Sequence, residues 1–251
     1  MTKTIAIANR KGGVGKTATA HAVGAGLRIR GYKVLLVDLD SQCNLTTALL
    51  GEDEEPELTS LDVLQRDCTA SEAIIETGRE DLLPASEALS VADKEIDGVG
   101  KEYRLKEALE ELGSSYDYII VDTPPALGVL TVNALTASDS LIIPAQADTD
   151  SLRGVIQLAQ TVDVVRKYTN PRLTIEGILL TRYNSRTILS RDMRENLEAV
   201  ASELGSVVYE TPIRECTAIK EAKAMCIDVY TYAPKSNASL DYNALIDQIT
   251  K

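Results

Sequence analysis

The chain has 251 residues and a formal net charge of −12, with 44% hydrophobic and 25% charged residues. These values are typical of a globular protein with a sizeable core, and we predict one domain over residues 1–251. The sequence has neither a run of about 18 apolar residues nor a signal-peptide pattern, so we expect a cytoplasmic protein without a membrane span. A strongly acidic chain disfavours nucleic acid as a partner unless basic residues cluster locally.

The cysteines are scattered and form no C-x-x-C pair. This spacing disfavours a zinc or iron–sulfur site and suits reduced thiols. The four cysteines are Cys43, Cys68, Cys216 and Cys226.

Short apolar segments that suit buried strands alternate with helical patterns along the chain. The predicted strands are residues 4–8, 33–37, 81–83, 118–121, 140–144, 173–180 and 207–209. The predicted helices are residues 18–30, 101–112, 150–168 and 190–204. Because the strands are rich in Ile, Val and Leu and are separated by helices, they predict an α/β fold. In this fold a mostly parallel, twisted sheet carries helices on both faces. The acidic stretch 51–100 is predicted to hold only short helices besides its strand.

A glycine-rich loop lies between the first predicted strand and the first predicted helix. It reads Asn9-Arg10-Lys11-Gly12-Gly13-Val14-Gly15-Lys16-Thr17. Glycines let backbone N–H groups surround phosphate oxygens, and the N-terminus of the helix adds a positive dipole end. The loop therefore predicts nucleotide phosphate binding, with Lys16 reaching the β- and γ-phosphates and the Thr17 hydroxyl holding Mg²⁺. The predicted nucleotide-binding residues of the loop are Lys11, Gly12, Gly13, Val14, Gly15, Lys16, Thr17 and Ala18.

Acidic residues follow two further predicted strands. Asp40 comes shortly after strand 33–37, and Asp122 directly follows strand 118–121. Since the carboxyl ends of strands in an open α/β sheet carry the ligand site, we predict that Thr17, Asp40 and Asp122 hold Mg²⁺. Another aspartate at this edge could orient the attacking water. The alternative role for each aspartate is to cap a helix, and for Asp38 both roles remain open.

These motifs resemble the ParA/MinD family of deviant Walker P-loop ATPases, and within it the Soj-like ParA DNA-partition proteins. The strict P-loop pattern has glycine where this chain has Arg10, and Lys11 is the additional lysine typical of the family. The likeness covers nearly the whole chain and is weakest over residues 51–100. The matching segments are K-G-G-V-G-K-T (11–17), V-L-L-V-D-L-D-S-Q-C-N-L-T (34–46), Y-D-Y-I-I-V-D-T-P-P (116–125) and G-I-L-L-T-R-Y-N-S-R-T (177–187).

The resemblance implies an ATP- and Mg²⁺-dependent homodimer with a shared catalytic site. Lys11 would cross the interface to touch the phosphates of the partner, and Lys16 and Asp40 would complete the catalytic set. Asp122 matches the Walker B aspartate of the family. The adenine contacts of the family fall near Arg182, Asn184 and Pro212.

Basic residues cluster over residues 182–194. Arg186 falls where Soj-like proteins have a DNA-binding arginine, and Arg191 and Arg194 share one face of the predicted helix. Lys220 lies near a second DNA-contacting position of those proteins, which Ala218 occupies here. We predict nonspecific DNA binding by Arg186, Arg191, Arg194 and Lys220. The alternative is a solvated helix face paired with nearby glutamates.

The resemblance implies a partition ATPase for plasmid or chromosome segregation. ATP would drive dimerisation and nucleoid association, and a ParB-like centromere-binding protein would stimulate hydrolysis. A MinD-like membrane-positioning ATPase is a second possibility, although its tail would need more basic residues than 239–251 carry. An iron–sulfur carrier or a metabolic enzyme of the same fold is a third possibility.

A low-turnover nucleotide-dependent regulator also stays open. Ala18 and Cys43 support this possibility, because the family usually has threonine and glycine at these positions. Ser41 likewise replaces the usual proline. His21, the only histidine, is interpreted as a packing or surface residue.

Overall fold

The computed structural model describes residues 2–250 and contains, within them, one sheet of seven strands. The strands are β1 Lys3–Ile7, β2 Val34–Asp38, β3 Asp81–Leu83, β4 Tyr118–Asp122, β5 Ser140–Ala145, β6 Thr174–Tyr183 and β7 Ile213–Arg214. Their order is β3-β2-β4-β1-β5-β6-β7, and all neighbouring strands in it run parallel. The predicted α/β fold with a parallel sheet is therefore confirmed.

Helices connect the strands and cover both faces of the sheet. The α-helices are α1 Lys16–Ile29, α2 Asn44–Leu50, α3 Ser60–Gln65, α4 Ala70–Ala73, α5 Ala92–Glu95, α6 Arg104–Glu110, α7 Val129–Ala137, α8 Thr149–Tyr168, α9 Ile188–Glu203, α10 Ala218–Ala224, α11 Val229–Tyr232 and α12 Asn237–Ile249. Two 3₁₀ segments are Glu87–Val91 and Lys101–Tyr103. Within residues 2–250, none of the helices combines the length and the apolar character that a membrane crossing needs.

Successive strand residues face opposite sides of the sheet and build separate hydrophobic layers. Ile5 and Ile7 of β1 pack with α1, α2, α10, α11 and α12. Ala6 of β1 and Ile143 of β5 pack with α7, α8 and α9 on the other side. On that same side, Val37 of β2 packs with α3 to α7. Because both faces are covered, the strands are apolar almost throughout, as the sequence predicted.

The predicted strand at residues 207–209 is wrong. Within this segment Val208 forms only an isolated bridge to Ile178, and the strand that pairs with the end of β6 is β7. Two hydrogen bonds form this bridge, from the Ile178 N–H to the Val207 carbonyl (2.8 Å) and from the Tyr209 N–H to the Ile178 carbonyl (3.0 Å), and the pairing extends no further. The Tyr209 ring packs over the backbone of β6 at Gly177, where a Cβ atom would lie 2.5 Å from its Cε2.

The predicted helix at residues 101–112 is divided. A 3₁₀ turn, Lys101–Tyr103, precedes α6, which ends at Glu110. The side chain of Asn133 causes the break: its Oδ1 accepts from the Leu105 N–H (3.1 Å) and its Nδ2 donates to the Lys101 carbonyl (2.9 Å). In an uninterrupted α-helix these two backbone groups would bond to each other.

Candidate active site

The glycine-rich loop follows β1, which lies between β4 and β5 at the centre of the sheet. Gly15 occupies the position just before α1 with a φ of 91°, a left-handed conformation that glycine adopts without steric penalty. The loop thus turns sharply and directs the N-terminus of α1 toward the carboxyl edge of the sheet. The ends of β2 and β4 meet the same edge, because both Asp38 and Asp122 end their strands in register.

Side chains from neighbouring strands and from within the loop fix its path. Asn9 is 1% exposed; its Nδ2 donates to the Pro144 carbonyl (2.6 Å) and its Oδ1 accepts from the Lys11 N–H (3.0 Å). On the other side, the hydroxyl of Thr181 donates to the Val14 carbonyl (2.7 Å). The loop is therefore held from both β5 and β6.

Lys16 is buried at the base of the loop with two carboxylates close by. Its side chain is almost fully buried, and its Nζ donates to the Lys11 carbonyl (3.4 Å). Burial lowers the pKa of Lys16, and the nearby negative charges of Asp122 and Asp40 oppose that shift. A cation placed in this way is suited to bind an anionic ligand group in front of the loop.

Asp122 ends β4 and is fully buried. Neither of its carboxylate oxygens accepts a hydrogen bond of normal geometry from residues 2–250, although the Thr17 hydroxyl lies close enough to favour the charged form. Burial raises the pKa of Asp122 well above 3.8, and the charge of Asp38 adds to this; the Thr17 hydroxyl and Lys16 oppose it. A buried carboxylate without a partner is unfavourable, so a cation that reaches it directly or through water would compensate.

The donor set fits Mg²⁺ rather than a transition metal. Within residues 2–250, no three His, Cys, Asp or Glu side chains converge as a metal site. Mg²⁺ needs few protein ligands, since it retains water and binds phosphate oxygens. The Thr17 hydroxyl, Asp40 and Asp122 supply the oxygen atoms that such an ion would use here, directly or through water.

Asp40 and Asp38 have different surroundings. Asp40 is 8% exposed, lies in the wall of the cavity in front of the loop, and accepts from the Gln42 N–H through Oδ1 (3.1 Å). Asp38 accepts from the Asp40 N–H and from both the N–H and the hydroxyl of Thr46. Burial raises the pKa of Asp38 to about 6. These three hydrogen bonds make Asp38 a positioning residue for the segment that carries Asp40.

A cavity of about 470 Å³ opens in front of the loop. Its wall includes, among the residues predicted for nucleotide, metal or DNA binding, Gly12, Gly13, Gly15, Lys16, Thr17, Ala18, Asp40, Arg182 and Lys220. A second cavity of about 210 Å³ adjoins it at the ends of β6 and β7, where Val14 joins the wall. The larger volume is in the range of small-molecule sites.

The predicted base-contacting residues are only partly brought together. Arg182 lies in the wall of both cavities and adopts a left-handed φ of 49°. Asn184 is exposed, and its Oδ1 accepts from the Arg186 N–H (3.1 Å), so its side chain closes a local turn. Pro212 is half-buried just before β7. The described walls of the two cavities include neither Asn184 nor Pro212.

Lys11 is directed away from the cavity, toward the junction of β5 and α8. Its Nζ lies 2.6 Å from Oδ2 of Asp148 and 3.5 Å from Oε1 of Gln146. Gln146 also donates through Nε2 to the Gly13 carbonyl (3.1 Å). The predicted trans-acting lysine is therefore held within its own protomer.

The predicted DNA-binding residues fall into two places. Arg186 and Arg191 are exposed at and just before the start of α9. Arg194, one turn further along, pairs with Glu198 at 2.8 Å. Lys220 belongs instead to α10 and lies in the wall of both cavities.

Comparison with known proteins agrees with this geometry. A family model described as "AAA domain" matches residues 2–175. The sporulation initiation inhibitor protein Soj of Bacillus subtilis is 41% identical over 99% of this chain and 98% of its own length. The chain belongs to the ParA/MinD family. Another relative in it, the chromosome partitioning protein ParA of Caulobacter vibrioides, is 36% identical over 98% of this chain and 93% of its own length.

A solved structure of the ParA/MinD fold is similar over the whole chain. It is cobyrinic acid a,c-diamide synthase of Mycobacterium smegmatis with a bound ATP analogue and magnesium. The two chains are 37% identical with a TM-score of 0.86, and the match covers 100% of this chain and 95% of the other.

The sequence did not identify Asp148 and Gln146 as part of the site of this ParA/MinD member. Asp148 caps α8, because its Oδ1 accepts from the Ser151 N–H (2.8 Å), and that cap was the only local signal. Its proximity to Lys11 follows from the pairing of β1 with β5, which the sequence does not reveal. Of the departures from the family pattern, Cys43 has a left-handed φ of 51° where glycine is usual.

Proposed function

We propose that this chain is a ParA-like partition ATPase that converts ATP to ADP and phosphate. In this proposal the Mg²⁺–ATP form dimerises and binds DNA nonspecifically, and a ParB-like centromere-binding protein stimulates hydrolysis. The protein would act in the cytoplasm, on the nucleoid, in plasmid or chromosome segregation, as one domain over residues 1–251. The Caulobacter relative is named as a partitioning protein, and the Mycobacterium structure holds an ATP analogue with magnesium.

The observation that carries the ATPase part is the buried, unpartnered carboxylate of Asp122 beside Lys16 and Thr17. Lys16 would stabilise the negative charge on the β- and γ-phosphates, and Thr17, Asp40 and Asp122 would hold Mg²⁺. When bound, Mg²⁺ supplies further charge neutralisation at the phosphate oxygens. Asp40, held by Asp38, would accept a hydrogen bond from the attacking water and so orient it.

Lys11 would complete the site of the partner protomer. A lysine ammonium added from outside stabilises the charge that develops on the transferred phosphoryl group. Its present contact with Asp148 lies at the rim of the protomer, where about a third or less of each side-chain surface is exposed to solvent. This contact would have to break when the dimer forms. Nucleotide state and dimerisation would thereby be coupled.

The base would occupy the smaller cavity at the ends of β6 and β7. Arg182 already lies in its wall, and Asn184 and Pro212 lie on the two chain segments that flank it. We therefore keep these three residues as the proposed base contacts.

DNA binding is proposed to depend mainly on Arg186 and Arg191, which are exposed. Arg194 is expected to contribute less because Glu198 neutralises part of its charge. Lys220 is proposed to contribute chiefly from the nucleotide side, since it lies in the cavity walls. On a chain with a net charge of −12, this local group is the main support for binding to a phosphate backbone.

The decisive experiment measures binding to nonspecific duplex DNA with Mg²⁺–ATP or Mg²⁺–ADP at two salt concentrations. We expect ATP-dependent, salt-sensitive binding. Arg186→Ala should make the logarithm of the binding constant fall less steeply with the logarithm of the salt concentration, by the equivalent of about one phosphate contact per protomer. Arg172→Ala is the matched control. Arg172 is exposed before the first residue of β6, whereas Arg186 follows its last, so about 30 Å of strand separates them. Absence of DNA binding despite confirmed ATP uptake would rule out the partition mechanism.

A MinD-like membrane role is not favoured by the C-terminal helix. In α12, Tyr242, Leu245 and Ile246 are at most 1% exposed and pack in the layer that contains α1. An interfacial helix would need a free apolar face and basic residues beside it. A low-turnover regulator would be distinguished from a partition ATPase by measuring ATP turnover with and without DNA.

A further inference from the structure

An arginine in the wall of the smaller cavity is held in a fixed position. Arg214 ends β7 and lies in the wall of this cavity. Its Nε donates to Oδ2 of Asp241 on α12 (3.0 Å), and its Nη2 donates to Oδ1 of the same carboxylate (2.6 Å). The Arg214 backbone N–H donates to Oδ2 as well (2.9 Å). Asp241 therefore fixes both the backbone and the guanidinium of Arg214.

The ion pair uses the edge of the guanidinium and leaves its planar faces available. The N–H donors of a guanidinium lie in its plane, so a bidentate contact with a carboxylate engages only the edge. The Asp241 side chain is 4% exposed and that of Arg214 is 48% exposed, so the arginine side of the pair is open. Within residues 2–250, the one cation–π contact joins Lys167 and Tyr168, so no aromatic ring covers Arg214.

The cavity that contains Arg214 begins at the phosphate-binding loop. Val14, Gly15 and Ala18 line it on the side of the loop. Gly15 and Ala18 also line the larger cavity, so the two cavities adjoin at the start of α1. Ile213 and Ile219 add apolar surface to the smaller cavity. A flat ring that enters it from a nucleotide on the loop would meet apolar side chains and a guanidinium.

We propose that Arg214 stacks on the purine base of the bound nucleotide and favours purine over pyrimidine nucleotides. This inference rests on the proposed function, which places the base in the smaller cavity. A guanidinium that lies flat on a base gains contact area and cation–π attraction, and the larger purine ring gains more than a pyrimidine ring. Because Asp241 positions the guanidinium in advance, the base does not have to order a long flexible side chain.

A purely structural role of the ion pair makes a different prediction. If Arg214 only holds α12 against β7, its replacement changes the affinity for every ligand of the site alike. Stacking affects only ligands that carry a base, and it affects a purine more than a pyrimidine. The two roles are therefore separated by comparing ligands that share the phosphates and differ in the base.

Calorimetry of the full chain with Mg²⁺–ADP, Mg²⁺–CDP and Mg²⁺–pyrophosphate makes this comparison. Arg214→Lys retains a positive charge opposite Asp241 and removes the planar group. We expect the variant to bind ADP about three- to tenfold more weakly and CDP more weakly by a smaller factor. Pyrophosphate, which has no base, should bind with unchanged affinity. The ratio of ADP affinity to CDP affinity should therefore fall.

Arg30→Lys is the matched control. Arg30 forms an ion pair of 2.6 Å with Asp247 on the same helix α12 and lies outside the described walls of both cavities. This change should alter none of the three affinities. If Arg214→Lys does not fold, Arg214→Ser combined with Asp241→Asn removes both charges together and leaves an oxygen for the backbone N–H at position 214. The same three results are expected for that double variant.

The outcomes separate the stacking role from the proposed function. Unchanged ADP affinity in Arg214→Lys, equal losses for ADP and pyrophosphate, or an unchanged ratio of ADP to CDP affinity would overturn stacking by Arg214. Each of these results leaves the ATPase proposal in place, because the wild type still binds ADP. Failure of the wild type to bind Mg²⁺–ADP would overturn both.

Discussion

Release of Lys11 from Asp148 should tighten ATP-dependent dimerisation. In the protomer the two side chains form an ion pair of 2.6 Å, and any role of Lys11 across a dimer interface requires this pair to open. Asp148→Asn removes the charge but retains a side-chain oxygen that can still cap α8 through the Ser151 N–H. The variant thus changes the electrostatic contact without removing the helix cap.

The size of the effect follows from exposure. The Lys11 and Asp148 side chains are 26% and 35% exposed, so solvent screens the pair and it stabilises the protomer by about 0.5–1 kcal/mol. Two such pairs open when a symmetric dimer forms. In the variant these pairs are absent, so dimerisation no longer has to supply the about 1–2 kcal/mol needed to open them. The dimer dissociation constant should therefore be about 5- to 30-fold lower.

Sedimentation equilibrium with a nonhydrolysable ATP analogue and Mg²⁺ measures this constant. Asp247→Asn is the control, because Asp247 forms an ion pair of the same length with Arg30 away from the loop. That change should leave the dimer constant within experimental error. An unchanged or higher constant for Asp148→Asn would refute the competition between the two contacts and indicate that Asp148 keeps Lys11 in the dimer as well.

Three further substitutions or reactions test the site. Asp122→Asn should abolish Mg²⁺-dependent turnover yet raise the free energy of unfolding of the nucleotide-free protein by about 1–3 kcal/mol near neutral pH. The pKa of Asp122 is raised in the folded state, so the gain in unfolding free energy should shrink as the pH falls toward 3.8. Urea titrations at several pH values measure this, and a gain that does not change with pH would contradict the explanation. Gly154→Ala places a methyl carbon 2.6 Å from Oδ1 of Asn9, so calorimetry should find weaker ATP binding, and thermal unfolding should find no helix stabilisation. Burial raises the pKa of Cys43 to about 11, so iodoacetamide near pH 8 should modify it at least about tenfold more slowly than a free thiol, as followed by mass spectrometry.

The elements of the sheet were predictable because the strands carry strong local signals. Segments such as β1 and β4 are continuous apolar runs that end in polar residues, and their ends were predicted within one residue. The errors arose where distant parts of the chain decide the local backbone. The amide of Asn133 separates Leu105 from Lys101, and nothing in residues 101–112 signals this contact. How far residues 207–209 pair with β6 likewise depends on the tertiary structure.

The candidate site was predictable where consecutive residues form it. The loop motif identified Lys16 and Thr17, and the strand ends identified Asp40 and Asp122 as neighbours at one edge. The contacts of Lys11 were not predictable, since they depend on the position of β5 beside β1. His21 shows the same limit: its burial agrees with the packing interpretation, but its position beside the cavity in front of the loop requires the tertiary structure.

The anchors of the phosphate-binding loop bear on how quickly nucleotide exchanges. Asn9 and Thr181 hold the loop through hydrogen bonds that involve no nucleotide, so the loop is preorganised and little chain entropy is lost on binding. Association should therefore be similarly fast for ATP and ADP, because neither nucleotide has to fold the loop. The discrimination between them would then arise after encounter, from the groups proposed to contact the γ-phosphate, which are Lys16 of the same protomer and Lys11 of the other.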